Sequence, residues 1–277
     1  MISIITAIHN QYAMNELFIH SLKKYTRVPY ELIIIDNNST DGSRELFEKN
    51  GAVIIRNNSN YSYPYCQNQG IRKASYGILV FLNNDVILSP DWDIYMLDVI
   101  GKNNYEVISF ASNDRSATGD DTTRFSRRWK RIKYPIIACL GISKFSLRLM
   151  FKLMYWKWER FTKAQFHKYG YCMREGFSGS AIAMTKTGIE KVGLWDEQIQ
   201  GADFDLYARC KQRNENYGDL QPLSIVSGIY IHHYERITIK AKRKPVLFTD
   251  VSNLISSEQK WGAEKWKNII NEYNRLP

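Results

Sequence analysis

Five short runs rich in Ile, Leu and Val within the first 111 residues constrain the fold of this chain more than any other feature. They are Ile2–Ile8, Glu31–Asp36, Ala52–Arg56, Gly77–Leu82 and Tyr105–Ala111. Helical patterns fill Ala13–Tyr25, Gly42–Asn50, Gln67–Ser75 and Pro90–Gly101 between them. A strand with one wet face alternates apolar and polar residues, whereas a run apolar throughout is buried on both faces. Parallel pairing also needs a long crossover between strands, which the intervening helices supply. The pattern predicts an α/β fold with a mainly parallel central sheet covered on both faces. Residues 112–123 are polar and predict a loop, mobile over a site.

Open α/β sheets bind ligands outside the carboxyl ends of their strands, so the residues found there are the candidates for chemistry. The first run ends in Thr6-Ala7-Ile8-His9-Asn10, the second in Asp36-Asn37-Asn38-Ser39-Thr40-Asp41-Gly42, the fourth in Asn83-Asn84-Asp85. Short polar side chains in these places suit recognition of a base and ribose, and Asp36 can accept from a pyrimidine ring N–H. Asp85 can hold a hard divalent cation, which would neutralise a diphosphate. The bland alternatives are turns: N-N-S-T-D-G is a good turn into a helix, and Asn83–Asp85 can simply lead to a helix begun by Pro90. No G-x-G-x-x-G or G-x-x-x-x-G-K-[ST] occurs, so dinucleotide and P-loop modes have no support.

Charge divides the chain unevenly. Of the net +10, the stretch from Arg124 to Lys168 holds 13 Lys and Arg against one acid, Glu159; the remainder is nearly neutral. Within it, Ile136–Trp158 predicts an amphipathic helix with Lys144, Arg148 and Lys152 on one face and Leu140, Leu147, Phe151 and Met154 around the rest. Cys66, Cys139, Cys172 and Cys210 form no C-x-x-C pair, which argues against structural zinc or a disulfide scaffold and fits a reducing compartment. No apolar run approaches the ~20 residues needed to span a bilayer, and no secretory leader is visible, so a cytoplasmic location is expected. The tail reads as a closing helix: Ser256 and Gln259 have capping-box spacing, and Trp266, Ile269, Ile270 and Tyr273 form an apolar stripe. The expected organisation is 1–123, 124–170 (the basic insertion), 171–240 and 241–277.

Five segments in order resemble inverting glycosyltransferases of the GT-A fold, specifically the large family 2. They are SIITAIHN (3–10), ELIIIDNNSTDGS (31–43), YCQNQGIRKASYGILVFLNND (65–85), GFSGSAIAMTKTGIEKVGLWDE (176–197) and GADFDLYARC (201–210). The resemblance implies a GT-A (Rossmann-like) fold with a nucleoside-diphosphate sugar donor, most simply a UDP-sugar, and Mn2+ or Mg2+. It puts Thr6, Ala7, Asn10, Asp36, Asn38, Ser39 and Asp41 around the nucleoside, and Asn68 near the donor phosphates or sugar. Asn83, Asn84 and Asp85 fall on the family's D-x-D motif, with Asp85 as the metal-binding carboxylate and Asn83 in place of the first Asp. Ala202-Asp203-Phe204-Asp205 stands where the family usually has Glu-Asp-x-Asp, which makes Asp203 the general base. Trp195, Asp196 and Glu197 would shape the acceptor pocket. His233, five residues before Thr238, is favoured over His232 as a second metal ligand. The stretch 124–170 lies outside the resemblance.

A sugar hydroxyl is a poor nucleophile and needs a carboxylate to take its proton, a role that suits Asp203; helix capping is its bland alternative. The basic stretch has three readings. It can lie on an anionic membrane beneath a lipid-linked glycan acceptor, form a solvated subdomain that binds acidic acceptors, or, least favoured, bind nucleic acid through Arg127–Arg131. The expectation is an inverting hexosyltransferase with a glycan or lipid-linked glycan acceptor, peripheral at the inner face of a membrane and active in polysaccharide biosynthesis. A dTDP- or GDP-sugar transferase, such as a rhamnosyltransferase, is the same-fold alternative. A catalytically silent nucleotide-binding, membrane-binding or nucleic-acid-binding module is the alternative of another class.

Overall fold

The structure is a computed structural model that describes residues 1–235, Ile237 and residues 247–276. Thr238, used above to favour His233, and the parts of the expected 171–240 and 241–277 units that fall in 238–246 lie outside the described residues.

One eight-stranded sheet organises the chain. The strands are β1 (Ile2–Ile8), β2 (Tyr30–Asn37), β3 (Val53–Asn57), β4 (Ile78–Leu82), β6 (Val107–Ala111), β7 (Met173–Glu175), β8 (Ala181–Thr185) and β9 (Ser224–Tyr230). Their order is β3-β2-β1-β4-β8-β6-β9-β7. β1, β2, β3 and β4 are mutually parallel, β8 runs antiparallel to both β4 and β6, and β7 is antiparallel to β9. The register Ile8↔Asp36 brings β1 and β2 to the same level at their carboxyl ends.

Residues of each strand divide alternately between two cores, as the period of two requires. Ile2, Ile4, Ile34, Val80 and Leu82 pack against helices α1 (Tyr12–Tyr25), α2 (Ser43–Lys49) and α4 (Trp92–Asn103). Ile5, Ile33, Ile35, Leu79 and Phe81 pack against α3 (Tyr63–Lys73) and α9 (Ala202–Tyr217). Burial on both faces is why the runs contain so few polar residues. Two boundaries differ from expectation. α3 starts four residues early because Pro64 fits the first helical turn. α4 starts at Trp92, after Asp91 takes a left-handed backbone conformation, so Pro90 stays outside it.

The basic stretch folds as three helices, α5 (Gly119–Leu140), α6 (Lys144–Met154) and α7 (Trp158–Tyr169). The single amphipathic helix expected over Ile136–Trp158 is not formed. Gly141, at φ 62°, ends α5, and a capping box at Ser143 starts α6 afresh. The expected apolar face also turns inward: Leu147, Met150 and Met154 are buried in the core, Phe151 packs against it, and Lys144 pairs with Glu16 at 2.9 Å. The apolar side chains left outside are Tyr134, Leu140, Ile142, Phe145, Leu153 and Trp156.

A short ribbon pairs β5 (Val86–Ile87) with β10 (His232–His233), setting His233 opposite Val86. The tail divides at Gly262 (φ 78°) into α10 (Ser257–Trp261), with the expected Ser256–Gln259 capping box, and α11 (Ala263–Arg275).

α3 reaches the sheet at Gly70, where an added Cβ would overlap Ile5 Cγ2 and lie 3.2 Å from Ile5 Cγ1. Ile5 is fully buried and cannot retreat. Gly70→Ala is expected to cost about 1–3 kcal/mol by overpacking, seen as a lower urea midpoint with an unchanged m-value.

Candidate active site

The loops after β1 and β2 hold each other by side-chain to backbone bonds. Asn10 and Asn38 both have positive φ, a conformation asparagine tolerates. Ser39 Oγ accepts from Asn10 N at 2.8 Å, and Asn10 Oδ1 accepts from Thr40 N at 2.8 Å. Asp41 accepts from the backbone N–H groups of Tyr12 and Ser43; burial pushes its carboxyl up, but these bonds prevail and hold it below its ordinary value. Asn38 is exposed and Ala7 half-buried.

Three buried oxygens, two in the carboxyl halves of β1 and β2 and one just beyond the carboxyl end of β4, have no hydrogen-bond partner: Thr6 Oγ1, Asp36 Oδ2 and Asp85 Oδ1. Asp36 Oδ1 accepts from Ser39 N at 3.0 Å, and the nearest cation to Oδ2 is Arg44, at 3.6 Å. Buried polar atoms are nearly always bonded, so a cluster of exceptions at one sheet end marks a place for a polar ligand.

Asp85 faces His233, whose Nε2 lies 3.4 Å from Asp85 Oδ1. On its other side, His233 Nδ1 lies 3.1 Å from Asp114 Oδ2. Burial disfavours the charged imidazole, yet the two carboxylates outweigh it and raise His233 well above its ordinary pKa. Burial likewise pushes Asp114 up, but His233 and its hydrogen bonds hold it down, at about 2. His232 turns away into a box of Trp129, Phe151, Tyr155 and Tyr234, and burial lowers its pKa. Among the described residues no three His, Cys, Asp or Glu side chains form a ready metal cage. Asp85 and His233 fit a cation that takes its other ligands from a diphosphate and water, because Asp85 Oδ1 has no other bond.

Of the segment 112–123, expected to be a mobile loop, residues 119–123 form the first turn of α5, which Thr118 caps by accepting from Asp121 N, and the part before it starts buried. Asn113 exchanges two hydrogen bonds with the His233 backbone, and Ser112 Oγ lies 2.5 Å from Asp114 Oδ1 and 3.1 Å from Ser178 Oγ. Sequence reasoning missed Asp114, although it follows a fifth strand end and the same rule pointed to it.

Asn68 is spent on the loop before α9. Its amide accepts from Trp195 N at 3.0 Å and donates to Trp195 O and Glu197 Oε1, each at 2.8 Å. Trp195 is buried edge-on against Tyr63 and Phe81. Asp196 accepts from Lys260 Nζ at 2.6 Å. Asn84 Nδ2 donates to Asn15 Oδ1 at 2.7 Å, and Asn83 N donates to Ser180 O at 2.9 Å.

That last bond links the two halves. One residue before Ser180 is Gly179, where an added Cβ would overlap Asp203 Oδ2 and lie 3.0 Å from Asp203 Cγ. Asp203 sits in the first turn of α9 but caps nothing at long range; its Oδ1 accepts from the next residue's N–H, Phe204, at 2.9 Å. Burial raises its pKa, against the pull of the Phe204 N–H, so it is a stronger base than an ordinary aspartate. Gly179 was also missed: its need appears only once α9 is packed on it.

The site is thus a parallel sheet end joined through an antiparallel strand to a buried carboxylate on the following helix. Residues 3–159, more than half of the chain, match the family described as Glycosyl transferase family 2, and the chain belongs to that family. The matched span runs through α5 and α6, which the motif reading had left outside, and ends before 176–210. No curated protein matches the chain. Two solved structures show the same fold. The mannosyltransferase PcManGT from Pyrobaculum calidifontis, in complex with GDP-Man and Mn2+, is 13% identical, with a TM-score of 0.51 over 81% of this chain and 56% of that one. GalNAc-T7 with UDP, GalNAc and Mn2+ is 14% identical, with a TM-score of 0.60 over 99% of this chain and 50% of that one. The chain thus spans about half the length of each.

Gly179→Ala is expected to leave nucleotide binding unchanged while pushing the Asp203 carboxylate aside, lowering transfer by about 10²-fold, the usual scale for a group misplaced by 1 Å. Titration calorimetry and initial rates on the same preparation check both halves.

Proposed function

We propose that this glycosyltransferase moves a sugar from a nucleoside-diphosphate sugar, most simply a UDP-sugar, to a hydroxyl of a glycan or lipid-linked glycan, with inversion. The observation that carries this reading is the link Asp85, Asn83 N→Ser180 O, Gly179, Asp203, which ties a cation-type carboxylate to a basic one. Asp203 Oδ2 takes the proton of the acceptor hydroxyl as its oxygen attacks the anomeric carbon. Attack comes from the face opposite the departing nucleoside diphosphate, so the anomeric configuration inverts. Asp85 and His233 would hold Mn2+ or Mg2+, which when bound offsets negative charge on the leaving diphosphate. The Mn2+ in both solved neighbours supports this assignment.

Thr6, Ala7, Asn10, Asp36, Asn38, Ser39 and Asp41 line the nucleoside side in this reading. The free Oδ2 of Asp36 suits a base with a ring N–H. Uracil, thymine and guanine all have one, and the neighbours were solved with GDP-Man and with UDP, so a GDP- or dTDP-sugar remains the second reading. Asn68 acts by bracing the 195–197 loop on the acceptor side. Asn83 contributes its backbone, and its neutral side chain leaves Asp85 as the only charge of the motif.

Burial makes the ionised form of Asp203 unfavourable in the folded protein. Its folded pKa therefore exceeds the unfolded value of about 3.9, and the stability it contributes when protonated is lost as pH rises through the folded pKa. Asp203→Asn is then expected to keep or raise Tm at neutral pH, to keep the thermal shift given by UDP or GDP with Mn2+, and to lower turnover by roughly 10²-fold or more. It should also remove the acid limb of the wild-type pH–rate profile. Undiminished turnover would take the role of base from Asp203.

We further assign the α5–α7 surface to an anionic membrane on the cytoplasmic side, where a lipid-linked acceptor would be presented. Among the described residues no helix is long and apolar enough to cross a membrane. Phe145 and Trp156 are 66% and 73% exposed, beside exposed Leu140, Ile142 and Leu153. A cavity of about 750 Å³ nearby is lined by Arg124, Arg127, Arg128 and Arg131. Exposed aromatic side chains with arginines suit insertion at headgroup level. Phe145→Ser with Trp156→Ser is expected to abolish flotation with vesicles containing phosphatidylglycerol without changing the fold by circular dichroism; unchanged flotation refutes the assignment.

A further inference from the structure

Among the described residues, two arginines grouped around Tyr273 have no ion-pair partner. Arg115 follows Asp114 and lays its guanidinium on the Tyr273 ring, 4.3 Å from the centroid. Arg174, on β7, donates one N–H to Ser116 O, the carbonyl next along from Arg115. Arg115 Nε and Nη2 and Arg174 Nε are buried and make no hydrogen bond. Neither arginine forms an ion pair among the described residues. Nearby carboxylates are engaged elsewhere. Asp114 bonds His233 and Ser112, and Glu175 bonds Tyr207 and approaches Lys211. Asp203 bonds only Phe204 N.

The pair and the base face a common region. Burial raises the Tyr273 phenol, Arg115 and Arg174 pull it down, and Asp203 and Asp114 push it up, so all four charges act on this one hydroxyl. Tyr273 packs on Phe177 and Phe204, which flank Gly179 and Asp203 in sequence. From Arg174 to Gly179 is five residues, at most about 17 Å of extended chain. Burial lowers the pKa of Arg174, and the charge of Arg115 lowers it further, so the two guanidinia repel in a half-buried place. Such an arrangement is stabilised by an anion that accepts from both forks. Both residues remain partly exposed, which leaves a route in. Arg174 stands on the edge strand β7, at the far end of the sheet from β1, β2 and β3. This separates it from the nucleoside side.

We infer that Arg115 and Arg174 form a phosphate-binding subsite on the acceptor side, which selects acceptors bearing a phosphate near the hydroxyl that is glycosylated. Two guanidinium forks offer several N–H donors, which suit a phosphate group, with more acceptor oxygens than a carboxylate. The ligand is a free sugar phosphate or the sugar phosphate of a lipid-linked acceptor. Its placement as acceptor rests on Asp203 being the base; the presence of the subsite does not.

The test uses the full chain saturated with UDP and Mg2+, titrated with inorganic phosphate and followed by thermal shift and calorimetry. Phosphate is expected to bind without displacing UDP. Arg174→Gln and, separately, Arg115→Gln should weaken phosphate at least about tenfold, as loss of a charged fork does, and leave UDP–Mg2+ affinity within about twofold. Arg174→Lys should restore part of the loss and shows that a weak Gln variant is still folded. Hexose 1-phosphate and its long-chain alkyl ester distinguish the sources: equal affinity assigns a free sugar phosphate, and tighter binding of the ester alone assigns a lipid-linked one. Competition between phosphate and UDP, or phosphate binding indifferent to both substitutions, overturns the subsite. Because UDP–Mg2+ binding is read in the same experiment, failure of the subsite is distinguishable from failure of the donor assignment.

Discussion

The reversed strand β8 is the constraint on which the site depends. It enters the sheet antiparallel between β4 and β6, so its first residues lie where β4 ends. Leu82 pairs with Ala181, and the ladder continues one step through Asn83 N→Ser180 O. Were β8 parallel, Gly179 and Ser180 would sit at the opposite edge of the sheet, and α9 could not bring Asp203 to the end that holds Asp85. A single pairing direction thus joins two aspartates 118 positions apart in sequence. Burial fixes the register, because a one-residue slip would exchange every side chain between the two cores.

Legibility in the sequence followed the physics of each signal. Ile2–Ile8 was read to the residue because both of its faces are buried, so its apolar run has clean ends. The strand ends were found by the same logic, and Thr6, Asp36 and Asp85 lie there with bonding capacity unused. Pairing order was not legible, since periodicity reports burial and says nothing about neighbours. Asp114 escaped because a polar stretch looks alike whether it is solvated or threaded through a buried network. The α5–α6 break was hidden for a related reason: Gly141 and Ser143 are weak signals beside a four-residue basic repeat. That repeat marked a wet face on α6 and led to the inward apolar side being taken for the outward one. Asn68 was expected near phosphates, but its whole amide is committed to Trp195 and Glu197. No sequence pattern distinguishes an asparagine that binds a ligand from one that braces a loop.

Charge placement separates structure from chemistry within single elements. His232 and His233 are neighbours on a strand, so their side chains point to opposite faces. One is sealed among aromatic rings, and burial lowers its pKa; the other lies between two carboxylates that raise its affinity for a proton, which a cation bound beside Asp85 would displace. The cation-type end of the site is therefore wired into the ribbon β5–β10, and the ribbon is tied to Asn113 and Asp114.

The two aspartates of α9 make the same point more sharply. Asp205 is fully buried and accepts from Arg209, Lys260 and Trp261, at 2.8, 2.6 and 3.0 Å. It fastens α10 to α9, and Lys260 carries the fastening on to Asp196. Asp203, two residues earlier, points elsewhere on the helix and meets a glycine, with no cation bonded to it among the described residues. A carboxylate placed for stability would take a partner, as Asp205 does. One held against bare backbone, with burial raising its affinity for a proton, costs the fold something, as the base proposed above would. Residue type cannot separate the two roles, since both are Asp on the first turn of one helix. Their surroundings do, and those surroundings are set by Gly179 and by the tail lysine Lys260, the one on the strand entry and the other far along the chain.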